Sequence, residues 1–255
     1  MSPLQQALVR KALNENGFHA ELPNVGGRLV GAATFASGRC FVARLETESY
    51  LVATSESGVA HALQLEGHTS IAIDLPPGAT AAFSAAPPGA LGPLIRRLYQ
   101  LTRALPTTPW QQFEAQTRHL PATTETERLV QQRIGQDIFR AALLDYWDGT
   151  CAVTGIDQIE LLRASHIKPW AACGDVPRER LDVFNGLLLA ADVDAAFDCG
   201  LVSFDENGTV LLSDNLTVLA KSRFSDLRII DQSRFTAEHA RYLGYHRAHV
   251  YQRLR

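Results

Sequence analysis

Apolar positions along the 255-residue chain switch between helical and strand spacing in blocks. Leu4, Ala7, Leu8, Ala12 and Leu13 share one helical face and predict a helix over residues 3–16, with Gly17 as its stop. Short apolar runs broken by Gly, Ser and Pro then follow at 28–35, 39–44, 49–53, 70–74 and 80–84, and predict strands of a small sheet. Ser37-Gly38 is the expected hairpin turn between the first two. Past Pro87-Pro88-Gly89, the residues Leu91, Leu94, Ile95, Leu98, Leu101 and Leu105 return to helical spacing.

Residues 106–123, rich in Thr, Gln and Pro, predict a linker. Thr124, with acids in the turn behind it, opens a further helical face through Leu129, Val130, Ile134, Ile138, Phe139, Ala142, Leu143 and Tyr146, ending at Asp148-Gly149. A hairpin with Asn207-Gly208 in its turn is expected over 201–212, and a last helix from Thr236 through Tyr242, Leu243, His246 and Val250. The order predicts an α+β chain: a small mixed α/β module over 1–105, the linker, and a second domain over 124–255 with helices flanking its centre.

Composition excludes several classes. Cys40, Cys151, Cys173 and Cys199 form no C-x-x-C pair, so neither a zinc knuckle nor a disulfide framework is expected, and a reduced, cytoplasmic setting fits. No apolar run is long enough to span a membrane, and with no charged and then apolar opening segment the chain is expected to be soluble and unexported. Val25-Gly26-Gly27 leads into no phosphate loop, because no Lys-Ser/Thr follows. The net charge of -3 argues against indiscriminate polyanion binding, yet residues 221–255 hold eight Lys/Arg against three acids.

The stretch from Cys151 to Asp205 holds the candidate chemistry. His166 closes the run 161–165, where Lys168-Pro169 breaks the ladder; a neutral imidazole there can accept a water proton near pH 7 without a large pKa shift. Asn185 opens Gly186-Leu-Leu-Leu189, and an Asn at such a turn can bind backbone across a loop. Asp194 and Asp198 share a face if 191–199 is helical, and hard carboxylate oxygens suit Mg²⁺ or Mn²⁺. Taken singly, each has a bland reading: a structural histidine, an ordinary Asn-Gly turn, a solvated helix face. Their order along two short strands and a helix supplies the base, the cation site and the rigid placement that phosphodiester hydrolysis needs. Ser165 and His166, being strand neighbours, point to opposite faces, which disfavours a serine-protease arrangement.

Cys151-Ala-Val-Thr-Gly155, Leu162-Arg-Ala-Ser-His-Ile-Lys-Pro-Trp170, Asn185-Gly-Leu-Leu-Leu189 and Asp194-Ala-Ala-Phe-Asp198 together resemble the HNH endonuclease family, in particular its branch of bacterial restriction endonucleases. The resemblance covers roughly residues 125–255 and leaves the first 105 uncovered. It implies a ββα-metal unit with one divalent ion, Mg²⁺ or Mn²⁺ ahead of Ni²⁺ or Zn²⁺, in which His166 is the general base, Asn185 the loop-holding residue and Asp194 a metal ligand. The residue before the base is often His or Asp in the family, and here it is Ser165; Asp198 is the first substitute for that ligand and Asp192 the second. The implied products are 5′-phosphate and 3′-hydroxyl ends.

Arg163, Lys168, Arg178 and Arg180 flank this stretch and are candidates to hold DNA phosphates, as are Arg241, Arg247 and Arg253 on the last helix. Through residue 120 the balance is nine basic to eight acidic, which does not favour simple polyanion binding; the resemblance to restriction-type architecture implies target selection for the first module, with dimerisation or regulation as the equal alternative. Phe35, Phe41 and Tyr50 could stack on a flipped base, although strand positions favour the core. A metal-dependent DNA endonuclease of restriction or defence type, with DNA as partner and a homodimer left open, is the leading expectation. A nuclease-derived DNA-binding protein with weakened catalysis and a metallohydrolase of small phosphoesters are the alternatives.

Overall fold

A computed structural model describes every residue except 26, 33–37, 46–48, 121–123, 175 and 253–255. Its contacts divide the chain into two compact units, Met1–Thr108 and Pro109–Arg255. Ser37, Phe35 and Arg253, singled out above, lie outside the described residues.

The first unit opens with α1 (Pro3–Glu15), capped reciprocally by Ser2 and Gln5, with Pro3 in the first turn where its missing N–H costs nothing. Five antiparallel strands follow in sequence order: β1 (Ala20–Val25), β2 (Arg28–Ala32), β3 (Arg39–Arg44), β4 (Tyr50–Thr54) and β5 (Ala81–Ala85). All five residues of β4 are buried. Helix α2 (Ser57–Leu65) lies between β4 and β5 in sequence, and α3 (Leu91–Ala104) follows β5, burying Leu94, Ile95, Leu98 and Leu101. Arg97 of α3 forms a bidentate ion pair with Glu66, at the C-terminal cap of α2, with an Nη2–Oε1 distance of 2.6 Å.

Two expectations are corrected here, and the preference for core positions at Phe41 and Tyr50 holds. Residues 70–74 form no strand: only Ser70 makes a bridge, to Phe83, and Ile71 then packs with Leu75 and Ala79 over Val30, Phe41 and Leu51. Pro76-Pro77-Gly78 follows at once and cannot extend a ladder. The predicted linker contains a helix, α4 (Thr107–Thr117), because Pro109 falls in the first turn, where proline is tolerated. Phe41 and Tyr50 are core side chains, at 0% and 7% exposure, and present no ring to a base.

In the second unit, α5 (Glu125–Tyr146) starts at a Thr124–Glu127 capping box and buries Gly135, Ile138, Phe139, Ala142, Leu143 and Tyr146. These pack against an antiparallel pair, β6 (Leu162–His166) and β7 (Gly186–Ala190), in the register Ser165 opposite Leu187 and His166 opposite Gly186. Gly186 permits the approach: a Cβ there would lie 2.5 Å from the Phe139 ring. The helix α6 (Ala191–Asp198) follows β7 directly, then the hairpin β8 (Val202–Phe204) and β9 (Val210–Leu212), the short α7 (Val218–Phe224) and α8 (Ala237–His249). Among the described residues no helix is long and apolar enough to cross a membrane.

His246 of α8 fastens α6 in place. Its ring stacks on Phe197 at 3.9 Å, its Nε2 lies 3.2 Å from the Phe197 carbonyl oxygen, and its Nδ1 lies 2.9 Å from Ser203 Oγ. Nε2–H therefore donates to the carbonyl, and Nδ1 accepts from the hydroxyl. Burial pushes this imidazole down to about 4, against the opposing pull of the Phe197 carbonyl.

The unfolded chain takes up a proton at His246 near pH 6.5 that the folded chain refuses until about 4, so this contribution to stability is full above pH 6.5 and declines as pH falls through that window. The slope is up to about 1.4 kcal/mol per pH unit. Urea midpoints at pH 7 and pH 5 should show a smaller acid loss for His246→Gln than for the unaltered chain. Equal losses would remove His246 from the account.

Candidate active site

Strand alternation separates the two neighbours at the end of β6. Ser165 turns to α6: its hydroxyl donates to Asp198 Oδ1 at 3.4 Å and also hydrogen-bonds Asp194. His166 turns to α5, where its ring stacks on Phe139 at 3.8 Å with 14° between planes, and the Trp170 indole meets it edge-on at 5.7 Å.

His166 Nε2 lies 3.0 Å from the Arg180 carbonyl oxygen. A carbonyl can only accept, so Nε2 carries the proton and Nδ1 keeps its lone pair. Burial pushes the imidazole down to about 4, against the Arg180 carbonyl, which favours the protonated ring. The ring is neutral at pH 7, and the expectation of an unshifted pKa is corrected: the aromatic clamp removes the water that would solvate a cation.

Asn185 is fully buried and links both sides of the loop between β6 and β7. Its Oδ1 accepts from the Lys168 N–H at 2.7 Å, while Nδ2 donates to the Lys168 carbonyl at 3.2 Å and the Glu179 carbonyl at 2.9 Å. Ile167 N–H donates to the Asn185 carbonyl at 3.0 Å. Asp182 caps the 3₁₀ turn Val183–Asn185 by accepting from Phe184 N–H at 3.0 Å, and accepts again from the Tyr242 hydroxyl of α8 at 2.9 Å. Phe139, Trp170, Asp182 and Tyr242 had no role at the site assigned from sequence; Tyr242 and Asp182 are 60 positions apart, and no local pattern links them.

Asp194 and Asp198 lie on one face of α6 with Ser165 between strand and helix. Burial raises both carboxyls above their usual range; the Asp194 charge raises Asp198 further, the Ser165 hydroxyl lowers both, and Arg163 lowers Asp194. Two half-buried like charges are an arrangement a hard cation would relieve. Among the described residues no three His, Cys, Asp or Glu side chains converge as a metal cage, since the third oxygen here is a hydroxyl. A hydroxyl and two carboxylates fit a divalent ion that keeps part of its water, as Mg²⁺ does, better than the nitrogen and sulfur preference of zinc. Asp192 stands apart, in an ion pair with Arg223 at 2.7 Å.

The candidate phosphate contacts divide. Lys168 is paired with Glu179 at 2.6 Å, and Arg241 with Glu238 at 3.2 Å. Arg247 donates to the Phe204 carbonyl at 2.8 Å, and Arg163 to the Glu160 and Leu162 carbonyls at 2.9 Å. Arg178 and Arg180 lie over indole rings, those of Trp110 and Trp170.

Residues 151–205, the segment built around β6, β7 and α6, match a family model described as HNH endonuclease. No curated protein matches the chain.

Asn185→Ala leaves the Lys168 N–H and two carbonyls without their partner and should cost about 1–3 kcal/mol in thermal or urea unfolding. Hydrogen exchange should quicken over 168–180 while the amides of α5 keep their protection. Wild-type exchange in that loop would show that another contact holds it.

Proposed function

We propose that this chain is a divalent-metal-dependent endonuclease that hydrolyses DNA phosphodiester bonds in a restriction or defence role, with the first unit selecting the target. The HNH match over 151–205 supports the nuclease class. The observation that carries the mechanism is the tautomer of His166: the Arg180 carbonyl holds Nε2–H, so the free lone pair is on Nδ1, in a ring that Phe139 and Trp170 keep neutral and oriented.

In this mechanism Nδ1 of His166 takes a proton from a water molecule as its oxygen attacks phosphorus in line with the leaving 3′-oxygen. The P–O bond to the 3′-oxygen breaks, solvent protonates that oxygen, and the products are a 5′-phosphate and a 3′-hydroxyl. Asp194 and Asp198, with the Ser165 hydroxyl, would hold a divalent ion whose charge offsets that of the phosphate and the leaving oxygen. Asn185 keeps the Lys168 and Glu179 backbones in register, so the Arg180 carbonyl stays on the base. Arg178 and Arg180, neither paired with a carboxylate among the described residues, are the cations best placed to hold flanking phosphates.

One observation favours a second reading, a nuclease-derived DNA-binding protein with weakened catalysis: the oxygen beside the two carboxylates is the Ser165 hydroxyl, a weaker ligand than the His or Asp common there. His166→Ala should lower plasmid nicking in Mg²⁺ or Mn²⁺ about 10²- to 10⁴-fold with DNA binding retained. Asp194→Ala should weaken Mn²⁺ binding measured by calorimetry. Nicking by pure His166→Ala at the wild-type rate would refute the base. A wild-type chain that binds DNA, cuts nothing in Mg²⁺, Mn²⁺ or Ni²⁺, and binds Mn²⁺ no better than Asp194→Ala would establish the second reading.

A further inference from the structure

We infer that the loop between β6 and β7 carries a binding site of its own, two guanidinium–indole platforms that receive unpaired bases beside the scissile bond, and that the substrate is single-stranded or locally unpaired DNA. This rests on the nuclease reading for the identity of the substrate, but the platforms are argued from their own geometry.

Arg178 and Arg180 stand two residues apart on the short 3₁₀ turn Pro177–Arg180. The Arg178 guanidinium carbon lies 5.1 Å from the Trp110 ring centre, and that of Arg180 lies 5.2 Å from the Trp170 ring centre. Arg180 is fixed further, since its Nε donates to the Trp170 carbonyl at 3.2 Å. The indoles have solid backing: Trp170 presses on α5 at Gly135, where a Cβ would lie 2.5 Å from the ring, and Trp110 packs on Phe113 at 5.9 Å. Each guanidinium is thus a flat cation held on one face by an aromatic ring.

Within the same unit Lys168, Lys221, Arg223, Arg234 and Arg241 each pair with a carboxylate, whereas Arg178 and Arg180 pair with none among the described residues. A guanidinium plane stacks on a base while its N–H edge binds phosphate, which Lys cannot do. Arg180 also supplies the carbonyl that holds His166, so a nucleotide on its side chain lies beside the reacting phosphate.

Duplex binding draws most of its affinity from many phosphate contacts. Here the net charge is -3, and α8 uses Arg241 on Glu238 and Arg247 on the Phe204 carbonyl. Two prepared stacking surfaces suit a strand whose bases are free, where each stacked base adds affinity without a further charge.

The test is fluorescence anisotropy of the full chain in EDTA, with a short labelled DNA strand and with the same sequence as a duplex. The single strand should bind at least ten-fold more tightly, and Arg178→Ala should weaken it roughly ten-fold. Arg178 is exposed, so folding is not at risk. Arg178→Lys, which keeps the charge and loses the plane, should behave like Arg178→Ala. Equal affinity for duplex and single strand, or full retention in Arg178→Lys, would overturn the platforms. Cleavage of either DNA in Mn²⁺ is scored separately: tight, Arg178-dependent single-strand binding without cleavage would sink the nuclease reading and leave the platforms standing. Cleavage with no strand preference would do the reverse.

Discussion

The Asn185 carboxamide is the contact on which the candidate site depends. A buried primary amide donates and accepts along two directions, and here it pairs with both backbone groups of Lys168 and with the Glu179 carbonyl. Among its described residues the loop it spans has no strand pairing of its own, so the backbone groups around the buried Asn185 would otherwise need water. Part of what orients His166 follows from that bridge. Glu179 neighbours Arg180, whose carbonyl sets the His166 tautomer, and Asp182, latched by Tyr242, keeps the turn that presents Asn185.

Burial then decides the protonation states around it. Phe139 and Trp170 exclude water from His166 and hold it neutral, which suits the role of proton acceptor proposed for it. The same exclusion raises Asp194 and Asp198, where a neutral acid is of no use, and the two carboxylates sit with a hydroxyl where a cation would restore their charge. One strand serves both purposes because its side chains alternate: Ser165 joins the oxygen cluster on α6 and His166 the aromatic clamp on α5. The placement of α6 is in turn secured by a second neutral imidazole, His246, which is stacked on Phe197 and bonded through both nitrogens.

The distribution of cations is the least local property of the second unit. A basic C-terminal segment read along the chain is a candidate polyanion surface, yet folding commits Lys221, Arg223, Arg234 and Arg241 to carboxylates and Arg247 to a carbonyl. Arg178 and Arg180, which pair with no acid among the described residues, are on the loop that the Asn185 bridge shapes, against indoles from α4 and the Trp170 turn.

Much of the architecture was legible from local pattern. The strong periodicity of Leu91 to Leu101, the Thr124–Glu127 cap and the β6–β7–α6 order could all be read before any contact was known, because period and capping are properties of neighbouring residues. Weaker segments were not legible. The helix α2 is short and carries Gly58, β1 contains Pro23, and 70–74 alternates like a strand but meets Pro76-Pro77 before it can pair. By itself the sequence determined which residue types stand at the turn ends: His166 after Ser165, Asn185 before a buried strand, and two aspartates four apart on a helix. Only the tertiary structure decided that Ser165 meets Asp198, that the Arg180 carbonyl selects the His166 tautomer, that Tyr242 latches Asp182, and that Arg178 and Arg180 lie over indoles. Each of those depends on groups far apart in the chain, and packing, not spacing, brings them within a hydrogen bond.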